Sequence, residues 1–199
     1  MNEKRHEVEE LVIRARAGEA AAFEALYGMH QAGIYTFLRS QVRDRDLAAD
    51  MAQETFVRAW ESLARLRKAG AFRGWLHRIA QNLVRDVAKS GRARLEVVES
   101  SLGDADETVR LPGPRSEDGN PEGEMVSGEM RKQVWEAIEE LPLEQRAAVV
   151  MHHMEEMSVA EIAEAMGVRA GTVMSRLARA RASLRGKLSR YVEGSDEGM

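Results

Sequence analysis

The sequence contains no cysteine. Disulfides, thiolate metal sites, iron–sulfur clusters and cysteine nucleophiles are excluded by that alone. Long apolar runs are missing too. The longest, Ala147 to Met151, is far short of the ~18 residues that would span a bilayer, so no membrane insertion is expected. Met-Asn-Glu-Lys-Arg-His-Glu opens the chain with no apolar stretch behind it, and no secretory signal is expected. Aromatics are 5 % and prolines number four. No strand-like alternation, glycine-rich phosphate loop or fixed-period repeat stands out. Ala, Glu, Arg and Leu recur instead, and all four favour helices.

What is present is unevenly distributed. Lys plus Arg is 29 and Asp plus Glu is 33, for a net charge of -4. That near-neutral total conceals segregation along the chain. Residues 96–129 hold ten acids against Arg110 and Arg115, a net of about -8, with Pro112, Pro114, Pro121 and several glycines. Such a composition buries too little apolar surface to offset its ordering entropy. The expected fold is all-α: two small helical domains, 1–94 and 129–191, joined by a flexible acidic linker, 95–128. Residues 192–199 are expected to be a disordered tail.

The second domain carries the sharper pattern. Ser158-Val-Ala-Glu161 is a capping box that starts a helix with Ile162, Ala163 and Met166 on its apolar face. Gly167 ends it, and another helix begins near Ala170. A short glycine turn between two helices describes a helix-turn-helix. Ala163 allows close helix approach, Gly167 can take positive φ, and Val173 seals the junction. Val173, Leu177, Ala180, Leu184 and Leu188 then form one stripe at 3.6 periodicity. Ser175, Ala178 and Arg179 point the other way. Arg169 to Arg190 hold seven bases and no acid, the charge a duplex groove demands of a reading helix. Upstream, Met130–Leu141 and Glu144–His153 read as supporting helices separated by Pro142.

In the first domain, Leu47–Leu66 reads as an amphipathic helix. Ala52, Phe56, Ala59, Leu63 and Leu66 share one face; Asp50, Glu54, Val57 and Glu61 share the other, with Gln53 beside them. That acidic stripe fits a docking surface or a plain solvated face. A loop, residues 67–71, leads to a helix over Phe72–Lys89 with Leu76, Ile79, Ala80, Leu83 and Val87 inward. Trp75, Arg78, Asn82, Arg85 and Lys89 form an outer stripe. A Trp and an Asn among cations can stack on unpaired bases and bond their edges. The same stripe also fits a half-buried Trp beside a surface Asn.

An enzyme is the first rival reading. His152 and His153 stand near Glu155 and Glu156, but adjacent helical residues point about 100° apart. No catalytic residues and no metal ligands are assigned, and no cofactor is implied.

Together the motifs resemble the extracytoplasmic-function (ECF) sigma factors of bacterial RNA polymerase. Residues 52–60 (AQETFVRAW) and 72–83 (FRGWLHRIAQNL) resemble the family's second domain, and residues 17–27 look like its opening helix. Residues 141–146, 158–163 and 171–177 resemble its fourth domain. The resemblance implies a cytoplasmic promoter-recognition subunit. Asp50, Gln53 and Glu54 would dock on core RNA polymerase. Lys68, Trp75, His77, Arg78, Asn82 and Arg85 would read and open the −10 element as single-stranded DNA, with one base flipped into a pocket. Arg169, Thr172, Met174, Ser175, Arg176, Ala178 and Arg179 would lie on the duplex −35 element, Arg169 and Arg176 at phosphates together with Arg181. An anti-sigma factor is the further partner implied. Met174 stands where a cation is frequent, and His77 where a Tyr is commoner. Two rivals share parts of this pattern: a sigma mimic that sequesters an anti-sigma factor, and a dimeric helix-turn-helix regulator.

Overall fold

The computed structural model describes residues 2–42, 44–89 and 121–195, with side chains for residues 6–42, 44–89 and 130–189. Residues 90–120, the greater part of the expected linker, and 196–199 lie outside the described residues. Among the described residues every regular element is helical.

Four helices build the first unit. α1 (Asn2–Arg16) turns through Gly18, at φ +94, into α2 (Ala20–Gln41); that φ is costly for any side chain but glycine's. α3 (Arg45–Ser62) starts at Asp44, whose Oδ1 accepts from the Asp46 and Leu47 amides at 2.8 and 3.0 Å. This satisfies two of the amides that the first helical turn leaves without partners. A single 3₁₀ turn, Leu63–Arg65, ends the element. A second, Ala69–Ala71, leads into α4 (Phe72–Lys89). Leu26, Phe37, Phe72 and Leu76 are fully enclosed, each worth about 1.5–3 kcal/mol on burial.

Four more helices build the second unit. α5 (Pro121–Glu139) begins upstream of the expected domain start at 129, so part of the segment read as linker is helical. α6 (Leu143–Val149) opens at Pro142. The expected continuous helix to His153 instead widens into a π-turn, Val150–Met154. Glu156 then adopts φ +50, a left-handed backbone that is uncommon outside glycine. α7 (Val159–Met166) and α8 (Ala170–Ser195) complete the unit. α8 runs past 191 into the stretch expected to be a disordered tail.

The two units do not sit apart. Their buried residues form one contiguous core, from Val12 and Leu26 to Met151, Ile162 and Val173. Arg146 of α6 donates to the Ser40 carbonyl at the end of α2 (2.8 Å) and to Leu141 O (3.0 Å). Arg39 of α2 pairs with Glu139 of α5 at 3.4 Å. α4 lies close along α7, where a Cβ on Gly74 would stand 3.2 Å from the Glu161 carbonyl oxygen.

Candidate nucleic-acid interface

The helix-turn-helix is built as its spacing requires. Ser158 Oγ accepts from the Glu161 amide at 3.3 Å, and the Ser158 amide donates back to Glu161 Oε2 at 2.9 Å. This reciprocal pairing is the expected capping box. Gly167 takes φ +66, and the Val168 amide reaches back to Ala163 O at 3.0 Å. Val173, Leu177 and Ala180 are buried, which fixes α8 against α7. The opposite side of α8 is open. Arg169, Met174, Ser175, Ala178 and Arg179 are exposed, and Thr172 and Arg176 half-buried. Ser175 Oγ folds back onto Gly171 O (3.1 Å) and Thr172 O (3.0 Å), and Arg179 Nε donates to Ser175 O (3.3 Å). Arg176 reaches Glu144 of α6 at 2.9 Å.

α4 presents three faces. Leu76, Ala80 and Leu83 face the core of the first unit. Arg78, Asn82 and Lys89 are exposed along the outer stripe, flanked by half-buried Trp75 and Arg85. Trp75 packs on Phe72 with ring centroids 6.0 Å apart. Beside Asn82 opens a groove of about 330 Å³, lined by Arg58, Glu61, Ser62, Arg65 and Ile79. The third face was not anticipated. Gly74, His77, Gln81 and Val84 are buried, and Gly74 meets α7 directly.

His77 is therefore a correction in this arrangement. The sequence placed it at the DNA surface; the structure buries it to 1 % exposure beneath Phe37 of α2. The reason is helical phase: residue 77 shares a face with 74, 81 and 84, not with 78 and 82. Lys68 is exposed on its loop, beside a crevice whose far wall carries Glu156, Glu161 and Glu164.

α3 turns its acidic stripe outward. Asp50, Gln53, Glu54, Val57 and Glu61 are exposed, while Phe56, Ala59 and Leu63 are buried. Glu54 pairs along the helix with Arg58 at 2.7 Å. Trp60, also exposed, packs tilted against Phe23 with centroids 4.9 Å apart.

Charge and burial conflict at one place, where the units meet. Burial lowers the His77 pKa to about 4, opposed by the Arg73 carbonyl at Nδ1 (3.0 Å), deepened by the Arg73 and His30 charges, and opposed again by Glu161. Burial takes His30 to about 4 as well, with Arg73 adding to the shift. Glu155 moves upward because burial outweighs the Arg73 guanidinium 3.7 Å away. His153 is lowered by burial, then by His152 and Arg181. Among the described residues no group of three or more His, Asp or Glu could hold a metal ion, and no helix is long and apolar enough to cross a membrane.

Comparison with known proteins matches the two units separately. The sigma-70 region 2 family model covers residues 26–94, and the sigma-70 region 4 model covers residues 131–184. The chain is 32 % identical over 178 residues to the ECF RNA polymerase sigma-E factor of Haemophilus influenzae, covering 89 % of this chain and 93 % of that protein. The chain belongs to the ECF sigma factors of RNA polymerase.

Two further relatives are the ECF RNA polymerase sigma factors SigE of Mycolicibacterium smegmatis and BldN of Streptomyces coelicolor. SigE is 36 % identical over 183 residues, 90 % of this chain and 67 % of that protein. BldN is 34 % identical over 165 residues, 82 % of this chain, which spans 59 % of BldN's length. Among solved structures, CnrH in complex with the cytosolic domain of CnrY is similar over 92 % of this chain and 98 % of that one, with TM-score 0.65 and 25 % identity. RpoE of Bartonella quintana, solved with the anti-sigma factor NepR, shares the fold at TM-score 0.62 and 21 % identity, over 84 % of this chain and 96 % of that one.

In family terms, α4 lies in sigma region 2, and α7 and α8 up to residue 184 lie in region 4. The face that joins them, Gly74, His77, Gln81 and Val84, escaped the sequence reading. One signal was available: a glycine followed at three and seven residues by polar side chains is a helix face neither apolar enough for a core nor cationic enough for DNA.

Proposed function

We propose that this ECF sigma factor binds core RNA polymerase through Asp50, Gln53 and Glu54 and directs it to promoters with two elements. The recognition helix α8 reads the −35 element as duplex DNA. Thr172, Met174, Ser175, Ala178 and Arg179 meet base edges, while Arg169 and Arg176 meet phosphates. The α4 stripe takes the −10 element as a single strand. Arg78 and Arg85 hold phosphates, Trp75 stacks, and Asn82 bonds a base edge at the mouth of the adjoining groove. Lys68 adds a phosphate contact from the loop. Chemistry on the nucleotide belongs to the polymerase; the sigma factor contributes binding energy and strand separation, so it is not an enzyme. Its setting is the bacterial cytoplasm, where its partners are. An anti-sigma factor completes the proposal, by analogy with RpoE, which was solved with the anti-sigma factor NepR.

The observation that carries this reading is a pair of exposed cationic stripes, on α4 and α8, in a chain whose outward α3 face is acidic. A mimic that only sequestered an anti-sigma factor would have no use for either stripe. The test is a titration of labelled chain with purified core polymerase. Wild type should form a stable complex, and Asp50→Arg with Glu54→Arg should weaken it by at least about tenfold, or ~1.4 kcal/mol. No complex with core polymerase would overturn the reading.

A further inference from the structure

Among the described residues of α8, Met174 is the only large apolar side chain left exposed, at 57 %. A single exposed apolar side chain is ordinary on a protein surface. This one stands on the open side of the helix-turn-helix, in a run from Arg169 to Arg190 that holds seven bases and no acid. The fold does not need it there: Val173, Leu177 and Ala180 supply the buried stripe of α8.

Its neighbours on that flank are small. Gly171, Met174, Ser175 and Ala178 follow spacings of three and four and share one face, and all four are exposed. A Cβ on Gly171 would meet nothing within 4 Å, so no packing inside the chain calls for glycine at that place. Along this line the helix can approach a groove floor closely, with Met174 the longest side chain on it.

The flank also offers no proton. Gly171, Met174 and Ala178 have no side-chain donor. Ser175 Oγ turns its own back to Gly171 O and Thr172 O, at 3.1 and 3.0 Å. The far edge of the open face differs. There Arg179 uses Nε on Ser175 O at 3.3 Å, and its two Nη groups suit guanine O6 and N7.

A surface without donors leaves guanine O6 and N7, or adenine N7, desolvated and unpaired, which costs binding energy. Thymine is the base that turns a methyl into the major groove, and a thioether packs against a methyl without asking for a hydrogen bond. We propose that Met174 reads a thymine methyl, so that the −35 element of this sigma factor carries a thymine, on one strand or the other, at the base pair facing Met174. The inference rests on the −35 role proposed for α8 above.

The test uses holoenzyme assembled from the full chain and core polymerase, on templates randomised across the −35 region. Wild type should favour thymine at one position. Met174→Ala should lose that preference and keep the others, and Met174→Lys should move it to guanine, whose acceptors a lysine can reach. On the selected promoter, uracil in place of that thymine removes only the methyl. It should weaken wild-type binding about fourfold, or ~0.8 kcal/mol, and leave Met174→Ala unaffected. With cytosine at the same position, methylating its C5 should tighten wild-type binding by a similar factor. No charge is involved, so the salt slope of Met174→Ala should equal that of wild type, and so should its unfolding midpoint. A −35 motif in which no thymine depends on Met174, or uracil bound as tightly as thymine, would overturn the methyl contact while the −35 role of α8 stands. A wild-type holoenzyme with no preferred −35 sequence would overturn both.

Discussion

Gly74 of α4 passes the backbone of Glu161 so closely that a Cβ on it would stand 3.2 Å from the Glu161 carbonyl oxygen. The neighbour is main chain at the start of α7, and main chain cannot swing aside as a side-chain tip can. Gly74→Ala should therefore push α4 and α7 apart, at about 1–3 kcal/mol of overpacking. Chemical denaturation should show a lower midpoint. A midpoint at or above wild type would mean that α7 shifts freely and that the contact is loose.

Gln81 predicts the opposite sign. Its amide is buried without partners, so Gln81→Leu removes unsatisfied polar atoms while keeping much of the volume. The chain should gain about 1–3 kcal/mol of stability. The urea midpoint should rise, and a midpoint at or below wild type would show that the Gln81 amide is satisfied in solution.

Much of this architecture was legible in the residues, and the failures share a cause. Phe72–Lys89 and the capping box at Ser158 emerged as read, as did Gly167 at positive φ and the outward set Asp50, Gln53 and Glu54. Each is a local matter of periodicity or capping. The sequence left open how the two units sit together, because Gly74, His77 and Gln81 carry no apolar period and their burial depends on α7, some 80 residues away. The π-turn at Val150–Met154 escaped for a related reason: its extra residue per turn leaves no local mark. The helix at Pro121 was hidden under acidic composition that reads as linker.

Acid should destabilise the shared core. His77 and His30, at about 4 when buried and 6.5 otherwise, face Arg73 from α4 and Glu161 from α7 as well as each other. Between pH 6.5 and about 4 the unfolded chain takes up protons that the folded chain refuses. Their contribution to stability is intact above 6.5 and declines as pH falls towards 4. Glu155 acts in the other direction. Burial raises its pKa, so the folded form gains its proton first and the cost of burying its charge is relieved as pH drops through that raised value. Two histidines outnumber one carboxyl. The urea midpoint should be lower at about pH 5 than at about pH 7.5, and His77→Gln should flatten the drop. An equal or higher midpoint in acid would reverse the assignment.

Arg179 and Arg176 should separate by mechanism. Arg179 is exposed in the middle of the outward face of α8, where a groove-reading helix meets base edges. Arg179→Ala should cost about 1–3 kcal/mol on a matched −35 element and little on a mismatched one. Arg176, set at the flank near Glu144, should weaken binding to all sequences alike when replaced by Ala, and lower the salt slope by about one. Equal losses on matched and mismatched promoters for both variants would erase the distinction.

Transcription itself is the most direct measure of promoter reading. Purified core polymerase and this chain would be given a library of templates randomised across the −35 and −10 regions, and the transcripts sequenced. The result expected is enrichment of two short motifs at a fixed separation, with Asn82→Ala blurring only the downstream motif and Arg179→Ala only the upstream one. Transcripts with no enriched motif, or the same motifs from core polymerase alone, would contradict it.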